Sequence, residues 1–194
     1  MVLRSLLLAV ALAALSGCSP VEMTVGAGAT VGVAAAQERG IGGTARDTYL
    51  SAAIQEKWFA SNFDMFSKLS CTVTGRRALL TGKVQDPDMR VEAVKLAWQV
   101  EGVTEVINEI EVADQSSLVD SARDYWITAQ LRTRITFDRG IKSINYSIDT
   151  VNGTVFLMGV AQNQEELDRV TNHARNLAYV RRVVSYVRVP APPA

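Results

Sequence analysis

Residues 143–161 read SINYSIDTVNGTVFLMGVA. Two runs rich in β-branched and aromatic residues, Ser143 to Val151 and Thr154 to Ala161, flank Asn152-Gly153. That dipeptide is the one that best supplies two consecutive positive-φ positions, so the stretch predicts a tight β-hairpin.

Working outward from the hairpin gives the rest of a unit. Downstream, Asn163 can cap a helix, with Glu166 three residues later completing a capping box and Glu165-Glu166 facing the positive helix end. A last strand follows from Arg181 to Val189, and Pro190-Ala191-Pro192-Pro193-Ala194 cannot continue it. Upstream, Ile127, Leu131 and Ile135 recur at a spacing of four and mark one face of a helix. The predicted order is α-β-β-α-β.

The same order is found once more, earlier in the chain. At a constant offset, Gly82 falls on Gly159, Leu80 on Leu157, Ser70 on Ser147, Ala97 on Ala174, Val103 on Val180 and Val106 on Val183, with Tyr49 over Trp126. The first copy has its helix face at Leu50, Ile54 and Trp58, a turn at Gly75, a second helix starting at Asp86-Pro87, and a last strand from Thr104 to Val112. Two copies of one unit explain this without a gap. The expected fold is α+β, two tandem αββαβ units at residues 46–114 and 121–190, each with two helices packed on a three-stranded mixed sheet. Copy one departs from the pattern in lacking an Asn-Gly turn and in carrying the aromatic stretch Trp58-Phe59-Ala60-Ser61-Asn62-Phe63.

The first twenty residues are MVLRSLLLAVALAALSGCSP, with Arg4 ahead of an apolar run from Leu6 to Leu15. The run is shorter than the roughly 20 apolar residues that span a bilayer, and reads as an export signal over residues 1–17. Leu15-Ser16-Gly17-Cys18 resembles the bacterial lipobox, which implies diacylglycerol on the Cys18 thiol. Ser19 after it, in place of Asp, resembles an outer-membrane sorting signal. Acyl chains hold because each buried methylene contributes about 0.8 kcal/mol. Residues 18–45 then form the expected tether: Gly26 to Gly43 is too poor in large side chains to offset backbone ordering. Gly28 and Gly32, at GxxxG spacing, leave open a small-residue helix instead.

Composition narrows the chemistry. Among 194 residues, Lys and Arg total 20 and Asp and Glu total 20, so the global attraction of a nucleic-acid binder is missing. Two Cys and one His cannot build a four-ligand zinc cage within one subunit. Cys71 falls opposite Ile148 in the repeat and reads as a small core residue, and His173, among Asn172, Arg175 and Asn176, as a surface histidine. Glu109 and Glu111 read as the exposed side of an edge or half-buried strand, and no glycine cluster follows a strand and opens a helix as a phosphate loop. No catalytic residue, metal, cofactor or small-molecule substrate is expected, and the chain does not read as an enzyme.

The strand-end glycines in Leu80-Thr81-Gly82 and Leu157-Met158-Gly159, the helix after each, and the strand openings Val103 to Val106 and Val180 to Val183 resemble the BON-domain family. Lipobox, tether and two such units are similar to the dual-BON outer-membrane lipoproteins. The resemblance implies a lipid-anchored protein of the outer membrane facing the periplasm. It would bind anionic phospholipid, chiefly phosphatidylglycerol, through the first helix of the second unit, and be associated with envelope integrity, division sites and stress response. On that helix the residues read as lipid contacts are Tyr125, Trp126, Arg132, Thr133, Arg134 and Phe137.

A helical projection bears on this. Trp126 lies about 140° from the Ile127, Leu131 and Ile135 face, with Thr133 and Phe137 near it. A Trp ring at a headgroup boundary leaves its N–H wet, and Arg132 or Arg134 can pair with phosphate. Trp126 packing against the other unit is the alternative, with Arg132 and Arg134 as solvated charges. Tyr49 reads as a packing residue. At the level of function the alternatives are a scaffold for an outer-membrane assembly or secretion complex and an osmotic-stress periplasmic protein without a membrane role.

Replacing Cys18 by Ala is expected to abolish incorporation of labelled palmitate, and undiminished labelling of the Cys18→Ala chain would place the acylation elsewhere.

Overall fold

The computed structural model describes residues 40–113 and 118–190. The export signal, Cys18, the GxxxG pair of the tether and the proline-rich tail beyond Pro190 lie outside the described residues.

The first unit runs α1 (Gly40–Ser61), α2 (Phe63–Lys68), β1 (Leu69–Thr74), β2 (Arg77–Val84), α3 (Pro87–Trp98) and β3 (Glu105–Val112). The second runs α4 (Leu118–Phe137), a 3-10 turn (Ser143–Asn145), β4 (Tyr146–Val151), β5 (Thr154–Val160), α5 (Gln164–Arg175) and β6 (Arg182–Arg188). Within each unit the hairpin is antiparallel, and the strand after the second helix pairs in parallel with the hairpin's second strand. Both sheets are therefore three-stranded and mixed, in the orders β1-β2-β3 and β4-β5-β6.

Boundaries differ from expectation in three places. Residues 40–45, expected in the tether, are the first turns of α1, because the buried face of α1 supplies the nucleus and lets the helix extend despite the cost of about 1 kcal/mol for each of Gly40, Gly42 and Gly43. Ser143–Asn145, expected as strand, is a 3-10 turn, because the chain bends there to bring the Lys142 N–H to the Glu166 carboxylate at 2.6 Å. In copy one the aromatic stretch yields an extra helix, α2, whose N-cap Asn62 accepts from the Asp64 N–H.

The helical stripes are buried as the spacing predicts. Leu50, Ile54 and Trp58 on α1 and Ile127, Leu131 and Ile135 on α4 are each at most 1% exposed. Trp58 satisfies its indole N–H by donating to the Ala93 carbonyl at 3.0 Å. Each stripe packs on one face of its own sheet, against Leu80 and Ile110 in copy one and Leu157 and Val183 in copy two.

The opposite sheet faces meet each other. Leu79, Val151, Phe156 and Met158 form a separate apolar cluster, flanked by Ile107, Val184 and Tyr186. Contacts pair β2 with β4 and, reciprocally, β1 with β5, as a pseudo-two-fold arrangement of like units requires. Glu109, expected to face solvent, accepts from the Tyr186 hydroxyl across this interface, because its side of β3 is the side the second sheet covers. Thr81 donates to Asp149, and Arg77 joins Glu105 to the Tyr186 carbonyl. The layers are helices, sheet, sheet, helices.

Three local devices fix the units. Asp47 on α1 accepts from the backbone N–H groups of Gly75 and Arg76, and Asp124 on α4 does the same for Asn152 and Gly153. Each carboxylate thus clamps a hairpin turn whose two central residues have positive φ. Gly82 and Gly159 explain the repeated strand-end glycine: a Cβ there would collide with the backbone carbonyls of Lys68 and Asn145. Glu166, expected as a capping residue, is almost fully buried and reaches the N–H groups of Gln162 and Lys142, while its own N–H donates to Asn163.

His173 is tied down where solvation was expected. Its Nε2 meets Asp138 at 2.7 Å, and Arg169 donates to the same carboxylate at 2.6 Å. The imidazole, the guanidinium and the Gly140 N–H hold the Asp138 carboxyl well below the usual carboxylate range.

Two expectations follow. Asp124→Ala leaves two turn N–H groups without their acceptor and should destabilise the chain by about 1–3 kcal/mol in thermal unfolding, with Asp124→Asn losing less. Because the Asp138 pKa is depressed on folding, its contribution is present above the ordinary aspartate value of about 4 and is lost as pH falls below it. His173→Ala should raise the carboxyl titration midpoint of Asp138 seen by NMR; an unchanged midpoint would show that the imidazole does not hold it.

Candidate functional site

The outward side of α4 carries the residues of interest because its inward side is fully committed to the core. At about 100° per residue, burying Ile127, Leu131 and Ile135 turns Trp126, Thr133 and Phe137 to the exterior in one row. Trp126 and Phe137 stand about 16 Å apart along the axis. Phe137 is 81% exposed at the helix end, and Thr133 returns its hydroxyl to the Ala129 carbonyl.

Arg132 is exposed and makes no hydrogen bond or ion pair among the described residues. Arg134 reaches the Asn176 carbonyl only at 3.4 Å. Asp138, next in the chain after Phe137, already holds Arg169 and His173 and so does not neutralise them. The C-terminal half of the α4 surface is therefore cationic beside an exposed phenyl ring.

Tyr125 is brought elsewhere. It lies about 100° round the helix from Trp126 and lines an open cleft of about 800 Å³ between the units, with Lys68, Lys83, Asp124, Thr128 and Asp149. The six residues thus divide into an outward row with flanking arginines and one tyrosine facing the cleft.

Trp126 takes no part in the apolar cluster between the sheets. It meets a ring of its own unit: Tyr179 stands edge-on to it, with centroids 6.0 Å apart and planes at 75°. The Arg123 guanidinium lies 5.0 Å from the Tyr179 centroid and pairs with Asp120 at 3.2 Å. Sequence reasoning missed Tyr179 and Arg123. The available signal was the repeat itself, which sets Tyr179 on Gly102 and Arg123 on Arg46. Tyr49, expected to pack, is 68% exposed, because Gly102 offers it no ring to pack against.

Copy one has an aromatic surface of its own. Phe59, Phe63 and Phe66, all exposed, form a cluster with centroids 5.4 to 6.3 Å apart at the α1–α2 corner.

Catalytic chemistry finds no support among the described residues. Burial pushes the Cys71 thiol up to about 12, which keeps it from acting as a nucleophile near neutral pH. No group of three or more His, Cys, Asp or Glu side chains is placed to hold a metal ion, and no helix is long and apolar enough to cross a membrane, in both cases among the described residues.

Comparison with known proteins agrees with the fold. Residues 46–114 and 123–191 each match the BON domain. The chain is 46% identical over 126 residues to a "protein in gshII 5'region" of Anaplasma centrale, covering 64% of this chain and 83% of that one. It is 29% identical over 173 residues to the outer membrane lipoprotein DolP of Haemophilus influenzae, covering 88% and 87%. It is 31% identical over 106 residues to the osmotically-inducible protein Y of Escherichia coli, covering 54% and 53%. With both of its αββαβ units matched, the chain belongs to the BON-domain family and carries two such domains.

Proposed function

We propose that this protein is a lipid-anchored component of the bacterial outer membrane, acylated at Cys18 and facing the periplasm, whose second BON domain docks on anionic phospholipid through the outward face of α4. Its role is to support envelope integrity. The observation that carries this reading is the row Trp126, Thr133, Phe137 on a helix whose other side is buried, flanked by the uncompensated charges of Arg132 and Arg134. Ring edges suit the headgroup boundary and the guanidinium groups suit its phosphates. Relatedness to an outer membrane lipoprotein over 88% of the chain supports the location. Phosphatidylglycerol is the lipid we assign.

A second reading, a scaffold for an outer-membrane assembly or secretion complex, draws on the Phe59, Phe63 and Phe66 cluster, since exposed aromatic groups are enriched in protein interfaces. It makes no use of the arginines on α4.

The chain beginning at Ser19 retains every described residue and is free of the acyl anchor. It is expected to float with vesicles of phosphatidylcholine and phosphatidylglycerol but not with phosphatidylcholine alone, and less well as salt is raised. Trp126→Ala and the double variant Arg132→Ala, Arg134→Ala should each weaken flotation about tenfold or more. Failure of the wild type to float would leave acylation as the membrane contact and favour the scaffold.

A further inference from the structure

The two copies differ in one turn whose geometry they share. In copy one the Val103 N–H donates to the Val100 carbonyl at 3.2 Å, and Gly102, third in that turn, has φ +103°. In copy two the Val180 N–H donates to the Leu177 carbonyl at 3.4 Å, and the third residue is Tyr179, with φ +69°. Positive φ at that position suits glycine and strains a bulky side chain.

What copy two gains from the strained residue is visible against copy one. There Arg46, Tyr49, Leu50, Arg76, Glu101 and Gly102 line an open hollow, and among the described residues the Tyr49 ring has no aromatic neighbour. At the equivalent positions of copy two, Arg123 and Trp126 both contact the Tyr179 ring. Trp126 is 40% exposed, yet Tyr179 itself remains 62% exposed and stands outside the apolar core of its unit. A ring held in a strained turn, in contact with a tryptophan and still mostly open to solvent, is not explained by packing. Strain of this kind concentrates at sites of function.

We infer that Tyr179 is a lipid-contact residue: with Trp126 it forms a two-ring face that seats in the headgroup layer of an anionic bilayer, beside Arg123. The inference rests on the proposed docking of α4 and extends that surface to the α5–β6 turn. Continuity with the α4 row and the amphipathic character of both rings, apolar in body and polar at the tip, match a lipid surface.

The test uses the chain beginning at Ser19 with vesicles of phosphatidylcholine and phosphatidylglycerol, comparing wild type, Tyr179→Gly, Tyr179→Phe and Trp126→Ala, with the unfolding temperature of each. Tyr179→Gly restores the residue that copy one uses in this turn, so its Tm should be unchanged or higher. Its vesicle affinity should fall about tenfold, as loss of one interfacial ring implies, while Tyr179→Phe should keep most of the affinity. Wild-type affinity in Tyr179→Gly, with loss in Trp126→Ala, would overturn the role of Tyr179 and leave the docking of α4 standing. A joint fall of Tm and affinity in Tyr179→Gly would also overturn it, by making the residue structural. Absence of wild-type binding would remove the docking itself, and this inference with it.

Discussion

A three-stranded sheet with both of its helices on one side has a second face, and that face must be covered. In this protein the cover for each sheet is the other sheet. Leu79, Val151, Phe156 and Met158, each at most 6% exposed, leave water together between the two copies. Burial of such side chains contributes about 1.5–3 kcal/mol each, and the covalent link between the units has already removed much of the cost of bringing them together. The polar contacts beside this cluster, Thr81 with Asp149 and Tyr186 with Glu109, set the register of one sheet on the other.

The outward display of the helices follows from that arrangement. With the sheets inside, all long helices lie on the outer layers, and the faces of α1 and α4 that do not touch their own sheets are left to solvent. In copy one that face carries Tyr49 and an open hollow; in copy two it carries Trp126, Phe137 and a ring drawn in from the α5–β6 turn. The repeat thus supplies two equivalent surfaces on cores of the same pattern, and the second carries Trp126, Arg132, Arg134 and Phe137 where the first has Tyr49, Gln55, Lys57 and Ala60.

The devices that both copies retain are those with no substitute. Asp47 and Asp124 reach the N–H groups of a turn that the strands alone cannot satisfy. Gly82 and Gly159 admit a carbonyl where any Cβ would collide. Neither aspartate stood out in the sequence, since an acidic residue on an amphipathic helix has many uses, and its partners lie 28 and 29 residues away. The strand-end glycines stood out by repetition alone, and their cause became visible only as a contact between elements.

The sequence by itself determined the elements, their order and their duplication, because hydrophobic period, turn chemistry and helix caps act over a few residues and are written locally. The stripes Leu50, Ile54, Trp58 and Ile127, Leu131, Ile135, the Asn152-Gly153 turn and the Asp86 and Asn163 caps are of this kind. It also placed Trp126 on the outward side of its helix, since helical geometry fixes that angle. Only the tertiary structure decided what the outward side meets. Whether Trp126 closes the interface between units depended on which faces the two sheets chose to bury, and that the sheets rather than the helices meet left the indole to a partner within its own unit. The same holds for Glu109, drawn into the interface, for His173, tied to Asp138, and for Tyr179, brought beside a tryptophan far from it in the chain. Contacts between distant segments depend on how faces pack, and no local pattern records that.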